Sequence, residues 1–189
     1  MSDVQTRMPC ARSTWHSGLD IGHLWLDKST GSDLYLYFKT RDATSQEYIG
    51  VAQSDVSTFS TSVNFPSNYI ITDYSHPMVR NIEGVYFFVG YHTARQRWEY
   101  TLGTSPVDFD WNNTKHIQLP NLMNKPGKWF SNNYEIEAGI KEPRIQGFEI
   151  LKINNKYHAF LFYRAGALNI SADTSVRGIG TIRIPLKSP

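Results

Sequence analysis

The chain has one cysteine, Cys10, among 189 residues. That excludes an internal disulfide and any zinc site built on two thiolates. Charge is sparse and balanced. The formal net charge is +2, and lysines and arginines are scattered without a run, so no electrostatic footprint for nucleic acid is present. No apolar run is long enough to insert across a bilayer. Residues 1–17 lack an apolar core of the secretory type, so the expected location is cytoplasmic at synthesis, with release inside a virus particle as one later setting. No window of a dozen residues keeps a 3.6-residue apolar period, which predicts almost no helix. Also missing are a Gly-x-Ser-x-Gly elbow, a phosphate-cradling glycine loop and a His-Glu-x-x-His pair. No cofactor is expected.

Aromatic residues are abundant: 5 Trp, 11 Tyr and 10 Phe. They gather in short β-type runs at 33–38, 47–53, 85–91, 97–103, 157–163 and 179–186, divided by turn clusters such as KSTGSD, NIEG and INNK. One arrangement occurs three times. Residues 23–38, 76–91 and 147–163 each read as an apolar strand, a polar turn with Gly or Asn, and an aromatic strand. The tyrosines after the turns, Tyr35, Tyr86 and Tyr157, lie 51 and 71 residues apart. Units of roughly 40–50 residues with several strands apiece are the mark of propeller blades. The prediction is an all-β chain of about three antiparallel, propeller-like blades. Residues 1–17 form an arm and 18–189 a single repeat domain, with an inserted loop at 121–146. Three blades leave sheet edges open, so closure by oligomerisation is expected.

The pattern resembles the five-bladed glycoside hydrolases of the arabinanase and β-xylosidase type. The residues that carry the resemblance are His76-Pro77 before a strand, Gly84-Val85-Tyr86-Phe87 at a turn, and Gly50-Val51-Ala52-Gln53-Ser54-Asp55 in the first unit. It covers roughly residues 23–186, and the chain has room for about three of the five blades. The resemblance implies an Asp base, a second Asp that tunes the acid, and a Glu general acid at the blade openings. Two carboxyl groups are what glycoside hydrolysis requires, one to protonate the leaving oxygen and one to activate water or attack the sugar. The aligned positions here hold His23, His76 and Gln146, so the matched acids are lost. A shifted alignment places Asp20, Asp73 and Glu142 in the family's order. Their alternative role is turn capping, with each carboxylate on nearby backbone N–H groups.

His23 and His76 could share a channel, but neither has a second ligand at metal-like spacing, and no metal site is expected. The aromatics expected on exposed loops are Trp111, Trp129, Phe130 and Tyr134, suited to stacking on a glycan or anchoring a protein interface. The sequence therefore points to a non-catalytic binding or assembly module, such as a structural or adhesion component of a symmetric virus or phage particle. A lectin-like glycan-binding domain is the first alternative. A hydrolase using Asp20, Asp73 and Glu142 is the second. Protein partners or self-association are expected, a glycan is a candidate ligand, and neither nucleic acid nor membrane insertion is.

Overall fold

The computed structural model of the protein describes residues 22–27, 31–41, 46–58, 70–117, 144–166 and 177–186. The chain divides into two compact units, Met1–Ile117 and Gln118–Pro189.

The first unit holds two antiparallel sheets. One is built in chain order from β1 (Gly22–Asp27), β2 (Asp33–Arg41), β3 (Glu47–Asp55) and β4 (Ile71–Thr72). The other runs β5 (Tyr74–Ile82), β6 (Val85–His92), β7 (Arg97–Ser105) and β8 (Asp108–Phe109), with β9 (Lys115–His116) also paired to β7. A 3-10 turn at Trp111–Asn113 is the one helical element among the described residues, as the missing 3.6-residue period predicts. The second unit is a three-stranded meander of β10 (Arg144–Ile153), β11 (Lys156–Gly166) and β12 (Arg177–Pro185). All six predicted runs are strands. The expected insertion overlaps β10, which already begins at Arg144, while residues 118–143 lie outside the described residues.

Turn chemistry sets the registers. β5 and β6 are joined by Glu83 and Gly84, with φ of 50° and 87°. β10 and β11 are joined by Asn154 and Asn155, with φ of 51° and 61°. Two consecutive positive φ angles make the hairpin turn whose twist matches the strands, and Gly and Asn tolerate them best. Asn81 adds a side-chain acceptor for the Gly84 N–H at 3.0 Å. The hairpins place Tyr86 opposite Asn81 and Tyr157 opposite Lys152. Each tyrosine is the second residue of its strand, and Tyr35 is the third of β2.

Period-two alternation sends one face of each sheet in the first unit into a shared core. Tyr35, Tyr37, Ile49 and Val51 meet Tyr74, Val79, Tyr86, Phe88 and Phe109, flanked by Trp25, Ile70, Ile71 and Trp111. Full burial of a side chain such as Phe88 stabilises by about 2–3 kcal/mol. The core also carries polar ties between the sheets. Tyr37 donates its hydroxyl to the Pro106 carbonyl at 2.9 Å, and Tyr86 donates to Asp27 Oδ2 at 2.8 Å. In the second unit Ile145, Phe148, Leu161, Tyr163 and Ile182 are buried. Gly180 is required there. A Cβ would fall 2.1 Å from Tyr163 Cζ, so only glycine lets the ring lie across β12.

Candidate functional site

The opening of β5 concentrates the unusual backbone of the first unit. Asp73, in the bend between β4 and β5, has φ of 62°, and His76 has φ of 53°. Non-glycine residues rarely hold such angles, and the surrounding structure must supply the compensation. For Asp73 it does. The backbone N–H donates to the Glu47 carbonyl at 3.1 Å, and the backbone carbonyl accepts from Thr93 N at 2.8 Å and Thr93 Oγ1 at 3.0 Å. The carboxylate accepts from Gln46 Nε2 at 2.8 Å and Thr72 Oγ1 at 3.3 Å.

These contacts form the floor of an open cleft of about 480 Å³ lined by Arg41, Gln46, Glu47, Asp73 and Thr93. β2 ends there, β3 and β5 begin there, and Thr93 opens the β6–β7 turn. Glu47 Oε1 meets Lys39 Nζ at 3.1 Å and Arg41 Nη2 at 2.7 Å, while its buried Oε2 has no hydrogen-bond partner. Two acids, Glu47 and Asp73, and one base, Arg41, line the cleft, and the buried Lys39 pairs with Glu47 from outside that lining. Sequence patterning did not single out Glu47. Its position opposite Arg41, as the register partner across the β2–β3 hairpin, is the signal that could have found it.

A second buried carboxylate was also missed. Glu99 is wholly buried on β7. Arg97 Nε lies 2.6 Å from Oε1, Arg95 Nη1 3.1 Å from the same oxygen, and the Tyr74 hydroxyl donates to Oε2 at 2.5 Å. Burial opposes the charge, but the hydrogen bonds from Tyr74, Arg97 and Arg95 outweigh it and bring the carboxyl down to about 2. Burial and the bond to Glu99 push the Tyr74 phenol up. His92, against the Tyr74 ring at 4.8 Å, is lowered by burial, with the Arg95 charge acting the same way and Glu99 opposing.

The residues singled out from sequence fall in different places. His76 lies on a β-bulge of β5, where the register shifts between Ser75 and Met78. Its Nδ1 is 3.1 Å from Ser75 Oγ, and its ring meets the Trp98 ring edge-on at 5.9 Å. Gln146 also lies on a bulge, between Ile145 and Gly147 of β10, and is exposed. Both are the third residue of the first strand of their sheet. Bulges re-aim side chains and recur beside functional sites. His23 lies on β1 without a bulge, and its Nε2 is 2.8 Å from Arg80 Nη1 of β5. The expected exposure of Trp111 is corrected. Its indole is half-buried against Phe88, Phe109 and Tyr74 at 5.0, 5.4 and 5.9 Å, because the 3-10 turn folds it onto the core edge. Trp129, Phe130, Tyr134, Asp20 and Glu142 lie outside the described residues. Among the described residues, no three His, Cys, Asp or Glu side chains are grouped to hold a metal ion.

No protein-family model and no curated protein matches the chain. Solved structures do. The GH32 β-fructofuranosidase BmSUC1 of Bombyx mori matches with a TM-score of 0.51 at 10% identity, over 91% of this chain and 35% of that one. A GH43_1 enzyme from Xanthomonas citri matches at 0.35 and 13% identity, over 94% of this chain and 71% of that one. CoXyl43, a GH43 β-xylosidase/α-arabinofuranosidase from a compost microbial metagenome solved in complex with xylotriose, matches at 0.35 and 12%, over 90% and 72%. The chain thus spans about a third of the silkworm enzyme it resembles. At this identity the likeness is one of fold: the chain is all-β, made of antiparallel sheets of propeller-like type.

Proposed function

We propose that the protein is a non-catalytic binding and assembly module built on sheets of the kind glycoside hydrolases use. One observation carries this. The bulge positions that open β5 and β10, which the sequence resemblance aligns with the family's acids, hold His76 and Gln146. Among the described residues, the carboxylates beside the opening of β5 are engaged in structure. Asp73 is held by Gln46 and Thr72, and Glu47 by Lys39 and Arg41. Glu99 titrates near 2, whereas a general acid must keep its proton near neutral pH. Exposed Leu24, Leu151 and Phe162 supply apolar surface for contacts between proteins, in a setting such as a symmetric particle.

The experiment is a paired one. Purified protein is assayed on arabinan, xylan and aryl-glycosides, and its mass is measured by native mass spectrometry. Background hydrolysis and a mass above that of one chain are expected. Turnover that disappears in Asp73→Asn overturns the non-catalytic half. A monomer at every concentration overturns the assembly half.

The cleft favours a second reading, a lectin-like site for a neutral hydroxylated ligand, because Gln46 and Thr93 line it beside the paired Arg41 and Glu47. Chemical-shift titration with xylose or fructose tests it, and saturable shifts at Gln46 and Thr93 are the supporting result.

A further inference from the structure

β12 differs from the strands that hold the same place in the other sheets. β3 and β7 are third strands, and each is covered on its outer side. β4 pairs with β3 through Tyr48↔Thr72 and Ile49↔Ile71, and β8 and β9 pair with β7. β12 is the third strand of its sheet and spans 9 residues. It pairs with β11 on one side and, among the described residues, with no strand on the other. An open edge of that length is a template for another strand.

The ladder shows which groups are offered. Leu186 N donates to the Tyr157 carbonyl at 2.9 Å, so the backbone groups of Leu186, Ile184, Ile182 and Gly180 face β11. By alternation those of Thr181 and Arg183 face outward. Pro185 brings no N–H and ends the outward row of donors.

We propose that this edge pairs antiparallel with the β12 edge of a second copy, joining two three-stranded sheets into one of six. The proposal rests on the assembly reading and names its surface. Centred on Thr181, the pairing sets Thr181 opposite its own counterpart and Arg183 opposite the position of Ile179. Thr–Thr pairs are favourable across strands, and like charges directly opposite are not. This register supplies the first and avoids the second. No acidic residue lies on β12 to favour a basic foreign strand. A two-fold contact needs only one surface. The joined sheet keeps its faces in order, with Ile182 buried on one side and Thr181 and Arg183 exposed on the other.

Thr181→Pro tests this, because it removes an outward N–H and spares the β11–β12 ladder, whereas Ile182→Pro breaks that ladder. The expected result is a wild-type dimer, a folded Thr181→Pro monomer with at least tenfold weaker self-association, and an unfolded Ile182→Pro. Hydrogen exchange on the unaltered protein gives an independent reading should Thr181→Pro fail to fold. Protection of the Thr181 and Arg183 amides must rise with protein concentration. Protection independent of concentration means another segment of the same chain covers the edge, and overturns the proposal. An oligomer with both amides unprotected, or one that Thr181→Pro leaves intact, also overturns it while the assembly reading stands. A monomer with unprotected amides at every concentration overturns both.

Discussion

Tyr86 donates its phenolic hydroxyl to Asp27 Oδ2 at 2.8 Å across the two sheets of the first unit, over 59 residues of sequence. Asp27 has no solvent exposure. The tyrosine repeated after each turn is therefore, in this copy, a hydrogen-bond donor to a buried acid as well as a core side chain. Trp25 closes over the pair, stacked on Tyr35 at 5.9 Å and edge-on to Tyr86 at 6.1 Å. Tyr86→Phe keeps the ring and removes a donor from a buried carboxylate. We expect a loss of about 1–3 kcal/mol in urea unfolding. A neutral result would show that Asp27 is satisfied without Tyr86.

Glu99→Gln should be worse, with a cost of about 3 kcal/mol or more, because it leaves the Arg97 and Arg95 contacts and the Tyr74 hydroxyl without their anion. Arg95 and Arg97 are themselves partly exposed, so their single alanine variants should cost less than Glu99→Gln.

The same network sets the acid limb of stability. The folded Glu99 carboxyl is depressed from 4.5 to about 2. The unfolded chain therefore binds its proton more tightly, and the stabilisation is complete above pH 4.5 and lost as pH falls towards about 2. Wild type should lose stability across that window in urea titrations, and Glu99→Gln should lose less.

The alkaline limb has the opposite sign. Burial, with the charges of Asp33 and Asp27 adding to it, pushes the Tyr35 phenol from 10.0 up to about 12. The folded state holds that proton more tightly, so its contribution is complete below pH 10 and lost as pH rises through about 12. Absorbance titration should find Tyr35 ionising later than exposed tyrosines, and Tyr35→Phe should flatten the alkaline loss of stability.

Gly103→Ala should destabilise the first unit by about 2 kcal/mol or more, since the new Cβ would sit 2.2 Å from the Asp108 carbonyl oxygen. That contact is backbone and cannot rotate away. Trp111→Ala should likewise reduce stability, by about 3 kcal/mol, through the lost packing on Phe88 and Phe109. Unchanged stability of Trp111→Ala in thermal unfolding would show that this packing contributes little to the fold.

Strands and turns were legible in the residues because their determinants are local. Alternating aromatics at 33–38 and 85–91, and the dipeptides Glu83-Gly84 and Asn154-Asn155, suffice to specify hairpins with core-facing tyrosines. The likeness among the openings of the sheets was visible too, in His76-Pro77 and Gln146-Gly147, although the bulge that both occupy depends on the partner strand. What lay beyond the sequence was pairing at a distance. Asp73 is bound by Gln46 and Thr93, Asp27 by Tyr86, and Glu99 by Tyr74, and none of these spacings follows a local period. Trp111 reads as a loop aromatic because exposure is a property of what the turn packs against. The sequence by itself determined where the chain extends and where it reverses. Which carboxylates are spent on structure was decided only when the strands and the two sheets of the first unit were brought together, because burial and hydrogen bonding there depend on residues dozens of positions away.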